Sequence, residues 1–561
     1  MPYGIWLSEN YMTGQGISRP WEQKMTRHNV LLITTDQEQS PLDIPKSVHL
    51  PNHDRLRERS TYFENFHVNS TPCGPSRSVI FSGQHTQKTG MFVNPNVPPH
   101  PELPRTMPTL GTIFQELGYY TVYKGKWHLS HLNQGIQFDA QRFPETSRAL
   151  EPWGFSEYNH DGDHHGIVWD GFKHDHAIAA DAANWLLGID GGKPTDRPWL
   201  LAVNFINPHD IMFHDATGQM STNRLDPVRV APLKPAPHTP PYTDDLELSL
   251  PESFSDNLDN KPTAHRNDRT MAEYMFGRLP IADEQAWRNH RNYYYNCIRD
   301  VDRHIGCVLD ALEQSGDAAN TIIVFTSDHG EMAGAHGLRQ KGPSMYKENV
   351  RVPLFIRHPE IQSPAETQML ATSIDLIPTI LEMTETSNDE VQSRWPDLVG
   401  TSVVPALQGK ASERDQRGAL FNYTATLAWD INFVETLFKG QVRGQFTDAE
   451  RERLAEGMSL DQIACFRGIH DGRYKFARYF KPSEHHVPED WNTLVSHNEL
   501  ELYDTLNDPN EINNLAKKST DNTSLILDLN ERLNMLIQME IGVDDGSFYG
   551  TDREYKLGDQ R

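Results

Sequence analysis

The chain has 561 residues, enough for two to four domains and a large buried core. Hydrophobic residues make up 37% and charged residues 23%, the balance of a soluble globular protein. With 52 basic against 77 acidic residues the formal charge is -25, which argues against nucleic acid or an anionic membrane as partner, although a local basic pocket can still hold a small anion.

Residues 1–28 read as an N-terminal extension without the apolar stretch of a secretory signal, and nothing downstream approaches a membrane span, so a cytoplasmic protein is expected. Only Cys73, Cys297, Cys307 and Cys465 are present. Cys297 and Cys307 fall in one predicted helix about 15 Å apart, beyond disulfide reach, which fits a reducing compartment.

Asn29–Thr34 (NVLLIT) reads as an apolar strand running into Asp36 and Gln37. Next, the stretch TPCGPSRSVIFSG (71–83) predicts a helix with Cys73 just before its N-terminus. Unpaired N–H groups, the helix dipole and Arg77 there suit a tetrahedral oxyanion, and the same field lowers a thiol's pKa. A buried, inert cysteine opening a core helix satisfies the same stretch, and the loop between Cys73 and Arg77 is too short for a cysteine-dependent phosphatase.

A second strand candidate, Tyr119–Tyr123, leads into Lys126, Trp127 and His128. The polar patch Asp161, Asp163, His164, His165, His174, Asp175 and His176 has no justifiable zinc spacing and reads as a loop entering a helix, with one or two members facing a pocket. Leu200–Ile206 is a strand running into Asn207, Pro208 and His209. A Pro-rich segment, about 215–275, reads as an irregular insertion of the lid or partner-contact kind. From about Trp287 to Gln314 a helix sets Ile298, Val301, Ile305, Val308 and Leu312 on one face, leaving Asp300, Asp302 and Arg303 as its solvated side. Thr321–Thr326 (TIIVFT) is a strand ending at Asp328 and His329. Each of these strands carries a polar cluster just past its carboxyl end, where an open α/β sheet with helices on both faces binds ligands. After residue 400, Cys465–Phe480 alternates like paired antiparallel strands around Asp471 and Gly472, and Leu525–Ile541 reads as a helix before a polar tail that is a candidate oligomer contact.

The run Cys73-Gly74-Pro75-Ser76-Arg77, followed by Ser82-Gly83-Gln84-His85 and Thr89-Gly90, resembles the C-x-P-S-R signature of the type I sulfatases, in the alkaline-phosphatase-like superfamily. The resemblance spans approximately Asn29–Ala516 and implies a mixed α/β sheet sandwiched by helices over 29–399, a smaller α+β C-terminal subdomain over 400–520, and a C-terminal helix and tail over 521–561. It implies that Cys73 is oxidised to formylglycine by a formylglycine-generating enzyme, and that Asp36, Gln37, Cys73, Asp328 and His329 surround one divalent metal ion. Oxygen donors favour calcium, and the imidazole makes manganese the alternative.

By the same resemblance Arg77 and Lys126 hold the sulfate charge, and one hydroxyl of hydrated formylglycine, deprotonated with help from Asp328, attacks sulfur. His209, with Lys341, then protonates the leaving oxygen, and His128 serves as base when sulfate is expelled; Tyr346, Glu348 and Arg351 continue the family pattern. Gln37 and His329, where most sulfatases have Asp and Asn, resemble a branch that includes phosphonate monoester hydrolases. That branch characteristically lacks the Lys126/His128 pair, so sulfate monoesters of the arylsulfatase type are the favoured substrates. A promiscuous phosphonate monoester or phosphodiester hydrolase is the rival, and a catalytically silent binder of sulfated ligands the third reading. Trp153, Phe155, Trp169, Phe172 and Phe213 are candidates for an aromatic wall around the leaving group.

Overall fold

The computed structural model describes residues 27–546 except 98–100, 133–146, 160, 190, 220–232, 362–364, 425–429, 431, 437–445 and 458. Most of the N-terminal extension, the start of the Pro-rich segment and the polar tail therefore lie outside the described residues.

The apolar runs pair as one mixed sheet of seven strands: β1 (Asn29–Asp36), β2 (Thr61–His67), β3 (Tyr120–Gly125), β4 (Trp199–Pro208), β5 (Thr321–Ser327), β6 (Leu354–Arg357) and β7 (Glu366–Thr372), in the order β3-β4-β1-β5-β6-β2-β7. The pairs around β1 are parallel and β6 runs antiparallel to both its neighbours. Along β1, β4 and β5 every residue is buried and both faces are covered, which is why these strands read as nearly continuous apolar runs. Leu31 and Ile33 point to one face with Ile178 and Val301 of the helices Asp170–Leu186 and Glu284–Gln314; Val30 and Leu32 point to the other with Ile80 and Phe81 of the helix Cys73–Ser82.

A second, antiparallel sheet follows, built from β8 (Ala419–Tyr423), β9 (Cys465–His470), β10 (Tyr474–Phe480) and β11 (Glu499–Asp504) in the order β11-β10-β9-β8. Phe421, Phe466 and Tyr479 on one face join the main core, while Ile469 and Phe476 on the other receive Leu529 and Leu533 of the helix Ser519–Glu540. The described part of the C-terminal segment is thus anchored on its own chain, with Glu540 paired to both His85 and Arg414.

Two expectations are corrected. Thr263–Phe276, assigned to the irregular insertion, is a helix. Asp300 and Asp302, assigned to a solvated helix face, are 3% and 1% exposed, because Tyr242 donates to Asp300 (2.7 Å) and His53 pairs with Asp302 (2.6 Å); Arg303 alone faces solvent. The long helix also begins earlier, at Glu284, where the Asp283 side chain caps it by accepting from the Ala286 N–H.

Candidate functional site

The register of the sheet builds the site. β1 and β5 pair in parallel with Thr35 opposite Ser327, so the residues that follow, Asp36-Gln37 and Asp328-His329, emerge side by side. The Gln37 N–H donates to Asp328 Oδ1 at 3.1 Å. The helix Cys73–Ser82 starts with Cys73 between them: Sγ lies 3.2 Å from His329 Nε2 and 3.8 Å from Asp36 Oδ1. Asp36, Cys73, Asp328 and His329 each offer a donor atom within 4.8 Å of the others, and all four are buried.

Next to this group β3 pairs with β4, and Gly125 has φ +94, with a Cβ there meeting the Asn204 carbonyl oxygen at 1.9 Å; only glycine fits, and the turn it permits directs Lys126 inward. Lys126 Nζ forms a fully buried ion pair with Asp36. The guanidinium of Arg77 is equally buried, donating to Asp328, Tyr123, Asn204 and the carbonyls of Lys126 and Trp127. Lys341 donates to the Gln37 amide oxygen, whose NH2 group donates to Glu331 and Gln340. Gln37 therefore borders the donor group with its amide already engaged.

Above them lies a cavity of about 140 Å³ lined by His128, His209 and Lys341. Gln37 and His128 sit at φ 77 and φ 56, a left-handed conformation that strains non-glycine residues. Asp163 holds His128 there by accepting from the Trp127 and His128 N–H groups at 2.9 Å each, while Tyr294 donates to the Gln37 carbonyl at 2.8 Å. His165 stacks on His128, and Gly166 packs so closely on His209 that a Cβ would lie 2.3 Å from its Nδ1.

The polar patch is thereby divided. His165 faces the cavity, Asp163 supports it, and Asp175 is buried, accepting from the Ile206 and Asn207 N–H groups at the end of β4. Asp161, His164 and His174 cluster near the surface, and His176 is exposed. Of the five aromatic wall candidates only Phe213 lines the cavity; Trp153 and Phe155 are buried in the main core, and Phe172 packs on Tyr242 with Trp169 beside it. Arg351 binds Asp43 and Tyr346 stacks on His336, both away from the cavity. The sequence reading placed Asp163 in the polar patch without this role, and it missed Tyr123, Asn204 and Glu331, supports that no local motif marks.

Electrostatics follow from burial and neighbours. Burial pushes the Asp36 carboxyl up, but Lys126, His209, His329 and Lys341 outweigh it and hold Asp36 well below the usual carboxylate range. Burial and the nearby Asp36 raise Asp328, despite His329 and Arg77. Burial, with Lys126 close by, keeps His128 and His209 neutral by lowering both well below an ordinary imidazole.

The donor set fits a divalent ion. Two buried carboxylates at one point call for a cation, and His329 Nδ1 lies 3.0 Å from the Gly330 carbonyl, an acceptor only. Nδ1 therefore carries a proton, and Nε2 is the ring nitrogen turned toward Asp36, Cys73 and Asp328, the one placed to hold an ion.

Comparison with known proteins gives the family. The family model described as Sulfatase matches residues 28–386, and the chain belongs to the sulfatase family, as a sulfuric ester hydrolase. Among its relatives, N-acetylglucosamine-6-O-sulfatase of Bacteroides thetaiotaomicron is 27% identical over 445 residues, covering 72% of this chain and 76% of that protein. Choline-sulfatase of Rhizobium meliloti is 26% identical over 410 residues, covering 68% and 72%. The crystal structure of the phosphonate monoester hydrolase of Agrobacterium radiobacter superposes with a TM-score of 0.59 at 19% identity, covering 92% of this chain and 96% of that one, which shows a shared fold. Among the described residues no helix is long and apolar enough to cross a membrane.

Proposed function

We propose that this sulfatase hydrolyses sulfate monoesters at Cys73 after its conversion to formylglycine, with Asp36, Asp328, His329 and the modified Cys73 holding one divalent ion and Gln37 completing its surroundings. The observation that carries this reading is the placement of Cys73 at the start of a buried helix, between two carboxylates and an imidazole, directly under a cavity lined by His128, His209 and Lys341. The hydrated aldehyde supplies the attacking oxygen and the ion supplies positive charge; calcium is the first choice and manganese the alternative. Lys126 neutralises Asp36 and the sulfate oxygens, Arg77 fixes Asp328, and Asp328 takes the proton of the attacking hydroxyl. On the leaving-group side Lys341 delivers a proton to the departing oxygen, the neutral His209 hydrogen-bonds that oxygen, and His128, also neutral, accepts a proton when sulfate leaves.

Phosphonate monoesters are the secondary substrates, as the related fold suggests, and Lys126 with His128 favours sulfate over them. A formylglycine-generating enzyme is the maturation partner. Among the described residues no disulfide joins the cysteines, which supports a reducing, cytoplasmic setting. The test is the mass of the proteolytic peptide carrying Cys73, paired with aryl sulfate turnover by the wild type and by Cys73→Ala. An aldehyde mass and loss of turnover in the variant uphold the reading; an intact thiol in protein that still turns over sulfate overturns it.

A further inference from the structure

The catalytic side chains occupy only the floor of the cavity. One face of the helix Thr263–Phe276 forms a wall, with Ala264, Asp268, Met271, Ala272, Met275 and Phe276 recurring at three- and four-residue steps. Met212, Phe213, Tyr423 and Ile463 close the sides. The volume, about 140 Å³, is close to the roughly 150 Å³ of an apolar cavity that holds a single benzene ring.

Asp268 breaks this apolar wall. Its carboxylate lies against Gly342, where an added Cβ would meet both oxygens within 2.5 Å, and so sits one residue along from Lys341 on the floor. Among the described residues nothing donates a hydrogen bond to it and no cation pairs with it. The two arginines nearby are committed elsewhere: Arg339 donates to the carbonyls of Ala272 and Gly277, and Arg269 to that of His336. Burial, with Glu331 adding to it, pushes the carboxyl up to about 7, so Arg339 and Arg269 only partly offset the cost.

An unpartnered carboxylate beside thioethers and aromatic rings is a site for a cation, which the carboxylate pairs and the π faces of Phe213, Phe276 and Tyr423 attract. The whole-molecule charge of -25 repels polyanionic esters but not a zwitterion whose sulfate and cationic ends cancel. We propose that this cavity is the leaving-group subsite and that Asp268 selects sulfate esters whose alcohol is a compact, single-ring-sized body carrying a cationic nitrogen. The sulfate end lies over Lys126 and His128 and the nitrogen meets Asp268. This assignment rests on the sulfatase reading of the floor.

The test compares two esters of nearly equal shape, 3-(aminomethyl)phenyl sulfate and 3-ethylphenyl sulfate, on the aldehyde form of the full chain. The wild type is expected to favour the cationic ester in kcat/KM by roughly 30-fold, the scale of one buried charge pair, and Asp268→Asn to collapse that ratio towards unity. Turnover of the neutral ester reports that the variant is folded. Equal kcat/KM for the two esters in the wild type, or an unchanged ratio in Asp268→Asn, overturns the assignment. If neither ester is turned over, the sulfatase reading of the floor fails, and calorimetry with the two free phenols decides the subsite separately. Tighter binding of 3-(aminomethyl)phenol, lost in Asp268→Asn, upholds it, and equal binding of both phenols overturns it.

Discussion

His53 offers a stability test whose size can be worked from its surroundings. Its Nε2 lies 2.8 Å from Glu38 Oε1, and its Nδ1 lies 2.6 Å from Asp302 Oδ1. The pairs tie the loop after β1 to the long helix Glu284–Gln314, and all three side chains are buried. Burial alone lowers its pKa, but Glu38 and Asp302 prevail and raise it to about 10. The folded state thus holds the proton more tightly than an unfolded chain, whose histidine titrates near about 6.5. At about 1.4 kcal/mol per unit of pKa, the ion pairs contribute on the order of 4–5 kcal/mol, in line with the cost of breaking a buried pair. Because the folded pKa is raised, this stability is fully present below about pH 6.5 and is lost as pH climbs to about 10. Urea denaturation of the wild type and of His53→Leu across that range measures it. The gap between them is expected to be largest at pH 6 and to shrink as pH rises to 10. A gap that stays flat with pH, or stays below about 1 kcal/mol throughout, refutes the reasoning.

Other substitutions probe the site. Lys126→Ala leaves Asp36 buried without its counter-charge, so aryl sulfate kcat/KM is expected to fall by about 100-fold or more, and phosphonate turnover by less, in steady-state kinetics. Asp163→Ala removes the acceptor that holds His128 at φ 56, so kcat is expected to drop by about tenfold or more with little change in KM. Removal of divalent ions with a chelator is expected to lower both activity and the thermal midpoint, and restoring calcium or manganese to recover both, because an ion held by Asp36, Asp328 and His329 would bind only their folded arrangement.

The strand ends were legible because a parallel sheet covered on both faces leaves uninterrupted apolar runs, and because the polar residues after β1, β3, β4 and β5 stand where such a sheet binds ligands. Cys73 and Arg77 were legible from one short signature. What holds them was not: Arg77 is fixed by Tyr123 and Asn204 from two other strands, and Glu331 grips Gln37 across 294 positions of sequence. Asp300 and Asp302 misled because charge on a helix predicts solvent, and only the fold brings Tyr242 and His53 over them. The helix Thr263–Phe276 was hidden by the prolines before it and by a face of alanine, methionine and one aspartate that borders a cavity rather than a packed core. Phe213 could not be told from Trp153 or Phe155, since an aromatic residue's sequence carries no record of which side of a wall it faces.

The central claim is that the site where Cys73 and Lys126 meet below the His128 side of the cavity is tuned for sulfate. The most direct measurement is the ratio of kcat/KM for an aryl sulfate and an aryl phosphonate monoester with the same phenol, on protein whose Cys73 peptide has the aldehyde mass. The account predicts a ratio above one that falls in Lys126→Ala. A ratio below one in the wild type contradicts it and makes this sulfatase-family chain a phosphonate hydrolase in practice.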